Sequence, residues 1–118
     1  MLQLKTRKSG NGVVIFELSG KLTIGEPVLL LRETLRKKWN VDEERKFLVD
    51  LGQVSYIDSS GLGELQSSFS TVRNKGGSLK LLKLTSKTKD LLQMKKLLLD
   101  CDNFYDEAAA LASLNPQH

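Results

Sequence analysis

The chain has 118 residues, 40% hydrophobic and 27% charged, which fits one globular domain with a single core and no room for two. Its formal charge of +4, from 18 basic against 14 acidic residues, is a mild excess that suits an acidic protein partner. No stacking array of aromatics lies among the lysines, so nucleic acid is not expected, and no apolar run approaches the ~20 residues of a membrane helix.

Leu2, Leu4 and Thr6 alternate with Gln3 and Lys5, which predicts a half-buried first strand with no signal-peptide pattern around it. Ser9-Gly10-Asn11-Gly12 is hairpin chemistry, because Asn-Gly tolerates positive backbone dihedrals. Val13 to Ser19 predicts the second strand, antiparallel to the first, with Val14, Phe16 and Leu18 on one face. Gly20 to Gly25 reads as a loop. Thr23-Ile24-Gly25-Glu26 fits a capping box, with Pro27 tolerable in the first turn of the helix it opens. Val28, Leu31, Leu35 and Trp39 then mark the buried stripe of that helix, and Arg32, Glu33, Arg36 and Lys37 read as its solvated side.

Asn40 to Arg45 is a polar connection. Lys46 to Leu51 predicts a buried strand, loosened at Gly52-Gln53, with Tyr56-Ile57 as a last pair of apolar anchors. After the central turn, Leu62, Leu65, Phe69 and Val72 predict a second helix, stopped at Asn74-Lys75-Gly76-Gly77. Ser78 to Leu82 is a short strand. Thr85-Ser86 is read as the cap of a third helix, with Leu91, Met94 and Leu98 inside and Lys87, Lys89, Lys95 and Lys96 beside them. Phe104-Tyr105 is a brief edge strand, Asp106 caps a last helix through Leu114, and Asn115 to His118 form a tail. Strands alternating with helices after a first hairpin give an α/β fold with a mixed sheet.

The turn between the third strand and the second helix carries the chemistry. Asp58-Ser59-Ser60-Gly61 places a carboxylate, two hydroxyls and a glycine ahead of an apolar-periodic run. Asp58, Ser59 or Ser60 can each cap the helix, and Ser60 reads as the better cap of the two serines. Gly61 and Gly63 cost roughly 1 kcal/mol each inside a helix, which suggests a close approach to the backbone there. A hydroxyl at a helix N-terminus is also a favourable place for a phosphate, facing free N–H groups and the positive end of the helix dipole.

Ile57-Asp58-Ser59-Ser60-Gly61-Leu62-Gly63 resembles the phosphorylation motif of bacterial anti-sigma factor antagonists, the single-domain STAS proteins. Gly20-Lys21-Leu22-Thr23 resembles that family's Gly-x-Leu-Asp segment, with Thr23 in place of the usual acid. Lys75-Gly76-Gly77-Ser78-Leu79-Lys80-Leu81 resembles its Gly-Gly turn into the fourth strand. The resemblance implies a STAS-like single domain over residues 1–114, with 115–118 as a C-terminal tail. It also implies phosphorylation at Ser59 by a serine kinase that is itself an anti-sigma factor, and resetting by a PP2C-type phosphatase. In the implied switch the unphosphorylated form binds the kinase and releases a sigma factor. Thr23, Asp58, Ser59, Ser60, Gly61, Leu62 and Gly63 would form the partner-binding surface.

Catalysis is not expected. The only histidine, His118, ends the chain, which argues against a Ser-His-Asp triad, and neither a Gly-x-x-x-x-Gly-Lys loop nor a Gly-x-Gly-x-x-Gly fingerprint occurs. The single cysteine, Cys101, rules out an internal disulfide and argues against a cysteine metal site, so neither cofactor nor metal is expected and the cytoplasm is the default compartment. A monomer is expected, because the helical stripes leave no spare apolar patch. The alternative function is a STAS scaffold or ligand-sensing domain, not phosphorylated, in a signalling or transport assembly.

Overall fold

The computed structural model describes residues 1–84 and 103–114. The elements run β1 (Leu2–Lys8), β2 (Val14–Leu22), α1 (Glu26–Asn40), β3 (Lys46–Ile57), α2 (Ser59–Asn74), β4 (Ser78–Leu82), β5 (Asn103–Phe104) and α3 (Glu107–Leu114). The expected helix after Leu84, Cys101 and the tail lie outside the described residues. The five strands form one mixed sheet in the order β1-β2-β3-β4-β5. β1 and β2 are antiparallel, with Leu4 opposite Leu18, and the later pairs are parallel.

The hairpin forms where Asn-Gly was expected to turn. Gly12 sits at φ 83°, and the Ser9 hydroxyl accepts the Val13 N–H at 3.1 Å. β2 and β3 lie inside the sheet and are buried on both faces, as parallel strands between helical layers are. Val14, Phe16 and Leu18 join Phe47, Val49 and Leu51 in the larger core, which Leu31, Leu35, Leu65 and Phe69 close from α1 and α2. Val13, Ile15, Leu48 and Leu82 face the other way, under Ala110 and Leu114 of α3. Val28, Leu31 and Leu35 are buried on α1, and Leu62, Leu65, Phe69 and Val72 on α2, as expected; Trp39, the fourth residue expected in the α1 stripe, is only half-buried at the edge of the core.

Three boundaries differ from the expectation. Gly20 to Leu22 is strand, not loop: Lys21 pairs with Tyr56, and Leu22 with Ile57. β3 does not end at Leu51 but continues to Ile57, although the strand is loosened at Gly52 as expected. The extra residue lies in β3 itself: Glu17 pairs with Asp50 and Ser19 with Gln53, so Leu51-Gly52 forms a bulge, and the Gly52 N–H donates to the Asp50 carboxylate at 2.9 Å. The capping box at Thr23 does not form either. α1 begins at Glu26 with Gly25 as N-cap and no side-chain cap bond, although Pro27 does stand in its first turn. The effect of all three is to carry β2 and β3 side by side to the same end of the sheet, where Thr23 and Asp58 follow them. At the far end of the chain the helix cap is as read: Asp106 accepts the Ala109 N–H at 3.1 Å.

Candidate functional site at the start of the second helix

Leu22 and Ile57 are paired neighbours, so the loops that leave them start together. Asp58 joins these loops. It is extended (φ −92°, ψ −177°) and is the N-cap of α2. Its Oδ1 accepts the Gly61 N–H at 2.8 Å, and its Oδ2 accepts the Ile24 N–H at 3.0 Å. One carboxylate therefore satisfies a first-turn donor of α2 and pins the loop between β2 and α1. The Ile24 N–H, then the Gly61 N–H, holds the Asp58 carboxyl below the usual carboxylate range. Its own N–H donates to the Leu22 carbonyl at 3.3 Å.

Of the three capping candidates, the aspartate takes the role and Ser60 does not. Ser59 and Ser60 are the first two helical residues; Ser59 is exposed and Ser60 half-buried. Ser59 thus lies inside the first turn rather than before it, but still on the open side. The first turn carries no acid. An anion on the Ser59 hydroxyl would meet the positive helix end, with the Asp58 carboxylate of the cap opposing it.

The two glycines have different environments. A Cβ on Gly61 would stand 2.2 Å from the Leu22 carbonyl oxygen, so the close approach at this position is made by the protein's own β2. Gly63 is exposed, and a Cβ there would meet nothing within 4 Å. Leu62 is 4% exposed and belongs to the core. Thr23, half-buried at the end of β2, precedes the residue that Asp58 holds. Thr23, Asp58, Ser59, Ser60 and Gly63 are the expected site residues with side chains or backbone toward solvent in this region; Gly61 and Leu62 seat the helix beneath them.

Two exposed apolar side chains were not expected. Ile24 is 73% exposed and Tyr56 is 56% exposed, so Tyr56 is no buried anchor. Leu29 and Leu30 on α1 are also open, which corrects the expectation that no apolar surface is spare. Alternation along β3 would put Tyr56 on the same face as the buried Val54; the extra β3 residue between the Gly20–Val54 and Lys21–Tyr56 pairs breaks the period and leaves Tyr56 exposed. Nothing local marks Ile24. Arg32 also departs from a purely solvated role: its Nε and Nη2 donate to Oε1 of Glu64 at 3.1 and 2.9 Å, and that carboxylate is buried between α1 and α2. Among the described residues, no cluster of three or more His, Cys, Asp or Glu could hold a metal, and no helix is long and apolar enough to cross a membrane.

The family model described as the STAS domain matches residues 5–110. No curated protein sequence matches the chain. Among solved structures, the Bacillus anti-sigma factor antagonist SpoIIAA in its unphosphorylated form superposes with a TM-score of 0.76 at 16% identity, covering 98% of this chain and 100% of its own. An anti-sigma factor antagonist from Mycobacterium paratuberculosis gives 0.74 at 18% identity, over 98% and 96% of the two chains. A sulfate transporter family protein from Wolinella succinogenes gives 0.69 at 22% identity, over 87% and 84%. At these identities the likeness is one of fold.

Proposed function

The chain belongs to the STAS domain family, and from that footing we propose that it is an anti-sigma factor antagonist switched by phosphorylation of Ser59. The observation that carries the reading is the exposed Ser59 hydroxyl on the first residue of α2, directly after a capping aspartate. The unphosphorylated protein binds an anti-sigma factor that is also a serine kinase, and so releases a sigma factor. The kinase phosphorylates Ser59, and a PP2C-type phosphatase in the cytoplasm restores the binding form.

The physical account is local. Phosphate adds about −1.5 to −2 charges at neutral pH. At the N-terminus of α2 that charge is tolerated by the free N–H groups, so the fold survives. Across a close interface the same charge and bulk carry a large desolvation cost. The surface that would feel it comprises Thr23, Asp58, Ser60 and Gly63, with Ile24 and Tyr56 as exposed apolar anchors. Gly61 and Leu62 contribute by fixing the helix start. Thr23 itself brings no charge to that loop, where the family's usual acid would.

The test uses wild-type and Ser59→Asp chains as baits in an extract of the source cell. A kinase held by the wild type and released by the Asp variant is expected. Intact-mass measurement with that kinase and ATP should then show one added phosphate on the wild type and on Ser60→Ala, and none on Ser59→Ala. A full phosphate on Ser59→Ala would sink the assignment.

A further inference from the structure

We propose that the groove between α1 and α2 is a binding site for a small organic anion, a phosphate or carboxylate carried on an apolar body. The site is separate from Ser59 and does not rest on the phosphorylation reading. The groove has a volume of about 410 Å³. Small-molecule sites commonly occupy roughly 300–1,000 Å³.

Each wall is one helical stripe. Arg32, Arg36 and Asn40 recur every fourth residue on α1, and Ser67 and Thr71 do so on the C-terminal half of α2, with Lys75 following at its C-cap. Leu35, Trp39 and Val72 supply the apolar lining. The Trp39 ring is fixed before any ligand arrives: it stacks on Phe47 with centroids 6.4 Å apart, and the Arg45 guanidinium lies 4.0 Å from its centroid. A rigid apolar wall costs less to order on binding than a mobile one.

The charge balance selects an anion. Three cations, Arg32, Arg36 and Lys75, line the groove against one acid, Glu64. Glu64 is already engaged, by Arg32 at 2.9 Å and by the Ser68 hydroxyl, which donates to it at 3.2 Å. Arg36 pairs with Glu33 at 3.0 Å, but both side chains are more than half exposed, and such a pair yields easily to a stronger partner. Arg36 and Lys75 are therefore placed to take the anionic group, with the Ser67 and Thr71 hydroxyls as further donors. The apolar part would lie toward Leu35, Trp39 and Val72.

Trp39 is the only tryptophan in the chain, so its fluorescence reports on the groove. The full chain would be titrated with phenyl phosphate, with phenol as the neutral counterpart and inorganic phosphate as the anion without a body. A saturable change with phenyl phosphate is expected, with both controls weaker by about tenfold or more. Arg36→Gln and Lys75→Gln, both surface changes, should each weaken it by about tenfold, the loss expected for one charge-assisted hydrogen bond. Backbone amide shifts in the same titration should fall on Arg32–Asn40 and Ser67–Lys75. The proposal is overturned by the absence of saturation, by inorganic phosphate binding as tightly as phenyl phosphate, by unchanged affinity in the two variants, or by shifts confined to Asp58–Gly61.

Discussion

At the scale of single residues, Asp58 decides how the site is held. Its two oxygens serve donors 34 residues and three residues away, Ile24 N–H and Gly61 N–H. The presence of a cap was legible in Asp58-Ser59-Ser60-Gly61; the identity of the cap was not. All three oxygen-bearing side chains can cap a helix, and the choice falls to the one that also reaches Ile24, a contact no local pattern displays. Because both bonds favour the charged form, the folded pKa is lowered. The stability this provides is fully present above the unfolded carboxylate pKa and is lost as pH falls through the lowered folded value. Asp58→Asn keeps an acceptor for one N–H but turns an amide NH₂ toward the other. The gap in urea midpoint between wild type and Asp58→Asn should therefore be widest near neutral pH and shrink in acid; a gap independent of pH would show that the carboxylate charge has no part in it. The glycines give a sharper contrast. Gly63→Ala enters open space in a helix and should stabilise by about 0.5–1 kcal/mol. Gly61→Ala gains the same helix propensity but drives a methyl into the Leu22 carbonyl, and should cost about 1–3 kcal/mol net. Equal effects in urea unfolding would refute this placement of the α2 start. Since Gly63 also belongs to the proposed partner surface, its alanine variant should be more stable yet bind the kinase less well.

At the scale of elements, periodicity identified what packing enforces. The stripes of α1 and α2 were legible because an amphipathic helix must bury one face, and Leu65 and Phe69 are indeed 1% and 7% exposed. Leu65→Ala or Phe69→Ala should cost roughly 2–5 kcal/mol, read from denaturant midpoints at constant slope. A loss below about 0.5 kcal/mol would mean that the α2 stripe does not face the sheet. Strand ends were less legible. Gly20 looks like an interruption but is held in the ladder opposite Val54, whereas Gly52 does interrupt, as a bulge after which β3 resumes its pairing at Gln53. The Gly20–Val54 and Leu22–Ile57 pairs keep both extended past the glycines. Tertiary pairing overrides local preference there, as it commonly does in strands. The consequence is functional: had β2 ended at Ser19, Ile24 would not stand where Asp58 can hold it.

At the scale of the whole molecule, the large apolar side chains left open among the described residues are scattered over Met1, Ile24, Leu29, Leu30, Val41, Tyr56 and Tyr105. Two of these flank the Ser59 region and are assigned to a partner. The sheet offers a second route to self-association, because β1 is an edge strand and open edges template pairing. That edge is guarded. Lys5, Arg7 and Lys8 are exposed along it, and Arg7 is tied to Glu17 of β2 at 3.0 Å and to Glu107 of α3 at 2.6 Å. Two copies meeting edge to edge would bring these positive side chains together and disturb a network that joins three elements. The excess charge of +4 opposes the approach further at low salt. The chain alone should therefore sediment as a monomer at low micromolar concentration, with no change between wild type and Ser59→Asp. A dimer that dissociates in Ile24→Ser or Tyr56→Ser would show that the apolar residues beside Ser59 serve self-association. A dimer unaffected by those changes but abolished by Thr6→Pro would assign it to the β1 edge instead. The first result would require the partner surface to be redrawn, because a face occupied by a second copy is not open to a kinase; the second would leave that face open.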